Sequence, residues 1–185
     1  MKIGFNSGAF FNDPLTEIIP RLAALGYQGI ELNAQDFHLM KAHVTPQLST
    51  EGRAEIRHLA RDHGMEISSI SAHNFSRNSL VDTDQRERQR HLDYINGCVD
   101  LATDVGTGVV HILAGQLPDG VSRERAWAGL LENLATCIHY AEERDVALGL
   151  EAVVGSIVAT ISDLSRLLAD LGEDKLYVNF DPTHF

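Results

Sequence analysis

Positive charge is scarce in this chain. Fifteen lysines and arginines stand against 26 aspartates and glutamates, a formal net charge of −11. A surface that must neutralise phosphates wants the opposite balance, so no nucleic-acid partner is expected. Cysteine is nearly absent: Cys98 and Cys137 are the two present, and both fall inside helical patterns. They are expected as reduced core thiols, with no disulfide or metal role. No apolar run approaches the roughly 20 residues that cross a bilayer, and Met1-Lys2-Ile3-Gly4 opens no signal-peptide core. A soluble, cytoplasmic protein without a membrane partner is the expectation. A phosphate-binding GxGxxG loop is missing between Gly4 and Phe11, which disfavours an open dinucleotide-binding sheet.

What is present is an ordinary globular composition, 44% hydrophobic and 22% charged, enough to bury one sizeable core. Short β-rich runs occur at Ile3 to Asn6, Gly29 to Leu32, Ile67 to Ser71, Val109 to Leu113, Ala147 to Glu151 and Leu176 to Phe180. Longer stretches of helical spacing lie between them. The first helix opens on Asp13-Pro14-Leu15, read as an acid N-cap followed by proline at the first helical position, and closes at Gly26. Pro20 inside it predicts a kink. A second runs from about Thr50 to Gly64, and a third from Asp82–Asp84 to Gly106. The fourth follows Ser122 with Trp127, Leu130, Leu131, Leu134, Ile138 and Ala141 as its inner stripe. Thr160-Ile161-Ser162-Asp163 forms a capping box for the fifth, which ends by Gly172.

Strands separated by helices must run parallel through right-handed crossovers. The strand starts recur about every 35 residues, so eight units would need about 280, the size of a (β/α)8 barrel. This sequence supplies about six units over residues 1–185, read as a single incomplete barrel domain. Two more units are therefore expected past Phe185, or a second copy that covers the gap as a homo-oligomer.

Chemistry in parallel α/β folds gathers at the C-terminal ends of strands. Polar residues there are Glu31, His73, His111, Glu151, Asp181 and His184, each just after or within an apolar run. Carboxylates in a barrel mouth cost several kcal/mol unless paired, and no Lys or Arg occurs at any strand end. A divalent cation, Mn, Mg, Co or Zn, is the simplest partner for such oxygen and imidazole ligands. Each residue also has a plainer reading. His111 alone could be a hydrogen-bonded core residue, Asp181 could cap a turn, and Glu31 could support the ligands from behind. His38, His43, His58, His63, His91 and His139 are read as solvated or helix-surface residues.

With those positions in place the sequence resembles the xylose isomerase-like TIM-barrel superfamily, the sugar phosphate isomerase/epimerase group that also contains the apurinic-site endonucleases. The passages that carry the likeness are Leu25-Gly26-Tyr27-Gln28-Gly29-Ile30-Glu31-Leu32, Asp100-Leu101-Ala102 through Val109-Val110-His111, Gly149-Leu150-Glu151, and Val178-Asn179-Phe180-Asp181-Pro182-Thr183-His184. The resemblance implies one metal held by a Glu, an Asp, a His and a second Glu. Glu151 matches the first, as ligand and acid/base together, and Asp181 the second; the last two have no counterpart before Phe185. His184 takes the role of a substrate contact or extra zinc ligand. His73 and His111 match zinc ligands of the endonuclease branch, while many isomerases also keep a histidine on the fourth strand, so both roles stand open for them.

The implied activity is isomerisation or epimerisation of a sugar, sugar phosphate or small keto acid by proton transfer through an enediolate. Two rivals remain. One is a zinc-dependent endonuclease-like phosphodiesterase, for which the mouth loops offer only Arg77 as a basic residue. The other is a non-catalytic binding protein on the same scaffold.

Overall fold

A computed structural model describes residues 1–34, 41–73, 79–172 and 174–184 of the chain. His38 and Arg77 lie outside the described residues. The strands are β1 (Gly4–Asn6), β2 (Gly29–Asn33), β3 (Glu66–Ser71), β4 (Val109–Leu113), β5 (Ala147–Glu151) and β6 (Tyr177–Asn179). The helices between them are α1 (Leu15–Ala24), α2 (Thr50–Asp62), α3 (Gln85–Val105), α4 (Arg123–Glu142) and α5 (Ile161–Leu171). All pairings are parallel, and the strands stand side by side in chain order from β1 to β6. A doubly wound sheet would reverse that order at a switch point; a barrel wall does not.

The period of two along each strand sorts the side chains onto two faces. One row of paired residues, Leu32, Ile70, Val110 and Leu148, crosses four strands, and each member is at most 2% exposed. This row packs into the layer of helices. The neighbouring rows carry Glu31 beside Ser69, Ser71 beside His111, and Glu151 beside Asn179. The apolar alternation therefore points outward to helices, and the polar one points into the barrel.

Each helix follows from its own sequence. In α1, Leu15, Ile18, Ile19 and Leu22 repeat at three and four residues and are all buried. α3 begins where Asp84 accepts the backbone N–H groups of Arg86 and Glu87, and ends at Gly106, whose φ of 87° suits a residue without Cβ. The capping box predicted for α5 is present, with Thr160 and Asp163 each bonded to the other's backbone. The start of α1 corrects the sequence expectation. Pro14 is itself the cap, its carbonyl already accepting from Glu17 and Ile18, and no side chain caps the helix. The Asp13 carboxylate is drawn away to Arg21 at 3.0 Å, and the Asp13 N–H closes the preceding turn on Phe10. The helix continues past Pro20 to Ala24.

Cys98 and Cys137 are free and buried, and burial pushes both thiols up to about 12. His91 departs from its predicted surface role. It lies four residues before Ile95 on the inner stripe of α3 and is 7% exposed, with Nε2 unpartnered. Leu131 is half-buried, and Asn133 takes a place on the inner face of α4, donating its amide to the Leu80 carbonyl at 2.7 Å. Among the described residues, no helix is long and apolar enough to cross a membrane.

Candidate metal centre

Glu151 ends β5 and is 7% exposed, the most enclosed carboxylate of the cluster. Its neighbours arrive from three other strands. His111 on β4 places Nε2 2.8 Å from Glu151 Oε2, and His73, just past β3, places its Nε2 3.9 Å from the same oxygen. From beyond β6, His184 brings Nε2 to 3.3 Å from Glu151 Oε1. The strand pairing explains this convergence, since Ser71 is opposite His111 and Leu113 opposite Glu151. Each step along the wall keeps the next polar residue at the same rim.

Asp181 and His184 are set by a short 310 turn, Pro182–His184. Asp181 Oδ1 accepts the Thr183 N–H at 2.8 Å and the Thr183 hydroxyl at 2.7 Å, which leaves Oδ2 facing His184 at 3.7 Å. Those two hydrogen bonds hold the Asp181 carboxyl below the ordinary aspartate value. On the far side of His111, Glu31 accepts from Asn6 and, at 2.6 Å, from Ser69. Its Oε2 stands 3.8 Å from His111 Nδ1. His111 is thus flanked by two carboxylates.

The charge balance is consistent with a bound cation. Burial pushes the Glu151 carboxyl up, but the His111 hydrogen bond and the imidazoles of His111, His73 and His184 bring it below its usual value. His73 is held down to about 4 by burial and by His111, against the pull of Glu151, so its ring is neutral at neutral pH and has a lone pair to offer. Among the described residues, no Lys or Arg lies within 4.0 Å of Glu31, Glu151 or Asp181. Ligand atoms of Glu151, Asp181 and His184 all fall within 4.8 Å of one another, and so do those of His73, His111 and Glu151. Ligands about 2.0–2.5 Å from one ion are spaced in this way.

All six residues singled out in the sequence, Glu31, His73, His111, Glu151, Asp181 and His184, belong to this one cluster. Three others were missed. Asn6 and Ser69 hold Glu31, and Asn179 reaches both His111 and Glu151. The signal for Ser69 and Asn179 was available, since each is a polar residue at an inward position of a strand.

The family described as xylose isomerase-like TIM barrel matches residues 19–185. A fructoselysine 3-epimerase of Shigella flexneri is 25% identical over 186 positions, which cover 98% of this chain and 66% of that protein. The solved structure of a D-tagatose 3-epimerase-like protein superposes with a TM-score of 0.82 at 21% identity, covering 100% of this chain and 66% of that one. The structure of IOLI protein with a bound zinc atom gives 0.79 at 16% identity, covering 100% of this chain and 64% of that one. The chain spans just under two thirds of the length of the curated relative it matches. Strand order, inward polar rows and the length of the match agree, and the chain belongs to the xylose isomerase-like TIM-barrel family.

Proposed function

We propose that this chain contributes active-site residues of a divalent-metal-dependent isomerase or epimerase acting on a sugar, sugar phosphate or small keto acid. The observation that supports it is the convergence of ligand atoms of Glu151, Asp181 and His184 within 4.8 Å, with no Lys or Arg within 4.0 Å of these carboxylates among the described residues. Glu151 and Asp181 would hold the ion, with His184 at its edge against the substrate. A dication there supplies polarisation of adjacent carbonyl and hydroxyl oxygens, which lowers the cost of removing a proton from the carbon between them. Glu151 accepts that proton. His111 donates to the same carboxylate and Glu31 orients His111 from behind. Return of the proton on the opposite face needs a second acid/base group, which the family resemblance leads us to expect on a strand after β6. The named epimerase relatives point to a ketose as the substrate class.

The test is solvent exchange. Mn2+-loaded protein incubated with a ketose in deuterated water should place deuterium on the carbon next to the carbonyl. Ketoses recovered without deuterium after long incubation with loaded protein would overturn the reading.

A second reading has its own observation. His73, His111 and Glu151 form another set of ligand atoms within 4.8 Å, as a multi-zinc phosphodiesterase would need. The net charge of −11 opposes a DNA substrate. Metal counting separates the two, since about one bound ion favours the isomerase and about three zinc ions the phosphodiesterase.

A further inference from the structure

Asn179 belongs to the cluster, and the chemistry above gives it no task. It ends β6, where its backbone is paired with Glu151. Its side chain turns back across β5, placing Nδ2 3.4 Å from Glu151 Oε2 and 2.9 Å from His111 Nε2. Gly149 lies beside the crossing. It lies between His111 on β4 and Tyr177 on β6 in the ladder, and a Cβ there would stand 3.9 Å from Asn179 Cβ.

The two oxygens of Glu151 meet different surroundings. Oε2 faces His111 Nε2 at 2.8 Å and the Asn179 amide, while Oε1 faces His184 at 3.3 Å. A ring nitrogen carries one hydrogen or one lone pair. His111 Nε2 therefore cannot donate to Glu151 and accept from Asn179 at once. With its hydrogen given to Glu151, the two Asn179 amide hydrogens are left for Glu151 Oε2 and His111 Nδ1, each 3.4 Å from Nδ2. Two donors on one oxygen fix the rotation of the carboxylate.

We propose that Asn179 is a positioning residue: its amide, reaching across Gly149, pins Glu151 Oε2 beside His111 and so keeps Oε1 turned toward Asp181 and His184. The proposal rests on the metal-dependent reading given above. Loss of a partner that orients a ligand typically lowers metal affinity 10–100-fold.

The experiment is a calorimetric titration of the whole protein with Mn2+ alone, paired with the visible spectrum of the Co2+ form. Asn179→Ala should weaken Mn2+ binding about 10–100-fold and shift the Co2+ bands, with the metal-free melting temperature little changed. A purely structural role would move the melting temperature and leave the spectrum of bound Co2+ as it is. Should Asn179→Ala fail to fold, Asn179→Thr puts a strand-favouring β-branched residue there without the amide and carries the same readouts. Wild-type affinity and spectrum in the variant would overturn the proposal while the metal site stands. Wild-type protein that binds neither ion would overturn the metal-dependent reading and this proposal with it.

Discussion

The substitution Glu151→Gln removes one negative charge from the centre of the cluster while keeping the shape of the side chain. A dication and a ligating carboxylate oxygen about 2.5 Å apart attract by about 13 kcal/mol at an effective dielectric of 20. Dehydration of both partners cancels most of that. If about a sixth survives, about 2 kcal/mol, Mn2+ binding weakens roughly thirty-fold. The metal-free protein responds differently. Glu151 has Asp181 as a like-charged neighbour, within the same 4.8 Å cluster, and His111 as a donor at 2.8 Å. The substituted side chain still offers an amide oxygen to His111 and is freed of the burial penalty on the charge, so the melting temperature without metal should stay within a few degrees of wild type. Mn2+ titration by calorimetry and a thermal melt with and without Mn2+ read both quantities. The expected pattern is a large loss of the metal-induced rise in melting temperature on an unchanged baseline. A Glu151→Gln variant that binds Mn2+ as tightly as wild type would place the ion elsewhere and refute the argument.

The capping box predicts an acid-side dependence of stability. Burial pushes the Asp163 carboxyl up, but the Ala159 and Thr160 N–H groups, the Thr160 hydroxyl and Arg123 bring it below the ordinary aspartate value. The unfolded chain then holds more protons at Asp163, so this contribution is complete above that ordinary value and fades as pH falls through the lower folded one. Asp163→Asn should flatten this part of the acid limb in urea melts at a series of pH values, and an unchanged limb would refute the assignment. The thiols of Cys98 and Cys137, pushed up to about 12 by burial, should resist iodoacetamide at about pH 8 in the folded protein and react fully in denaturant. Gly97→Ala should destabilise by about 1–3 kcal/mol in the same melts, because its Cβ would stand 2.7 Å from Pro46 Cβ.

Helix boundaries were legible where a side chain has no competing partner. Asp84 and the Thr160–Asp163 pair cap as their spacing predicts, each aimed at its own helix N-terminus. Asp13 has the same residue type in the same place and fails, because Arg21 eight residues on offers it a full charge at 3.0 Å. A long-range pairing of that kind leaves no mark in local spacing. His91 was missed for a different reason. Helical periodicity puts position 91 on the inner face of α3 with Ile95 and Cys98, whereas a histidine's polarity by itself points to the surface.

The site was legible because a barrel makes one strand face do two jobs. Helices cover the outer row, so Leu32, Ile70, Val110 and Leu148 must be apolar. The inner row is free of that demand near the C-terminal rim, and the desolvation of a charged residue there has to be offset by a ligand or a partner. Glu31, His111 and Glu151 each interrupt an apolar run at an inward position, and that interruption identifies them one strand at a time. Asn6, Ser69 and Asn179 are neutral and small, carry little desolvation cost, and raise no such alarm. What makes them matter is where their hydrogen bonds end, on Glu31, His111 and Glu151. Charge cost finds the groups that would bind an ion, and only cross-strand geometry finds the groups that aim them.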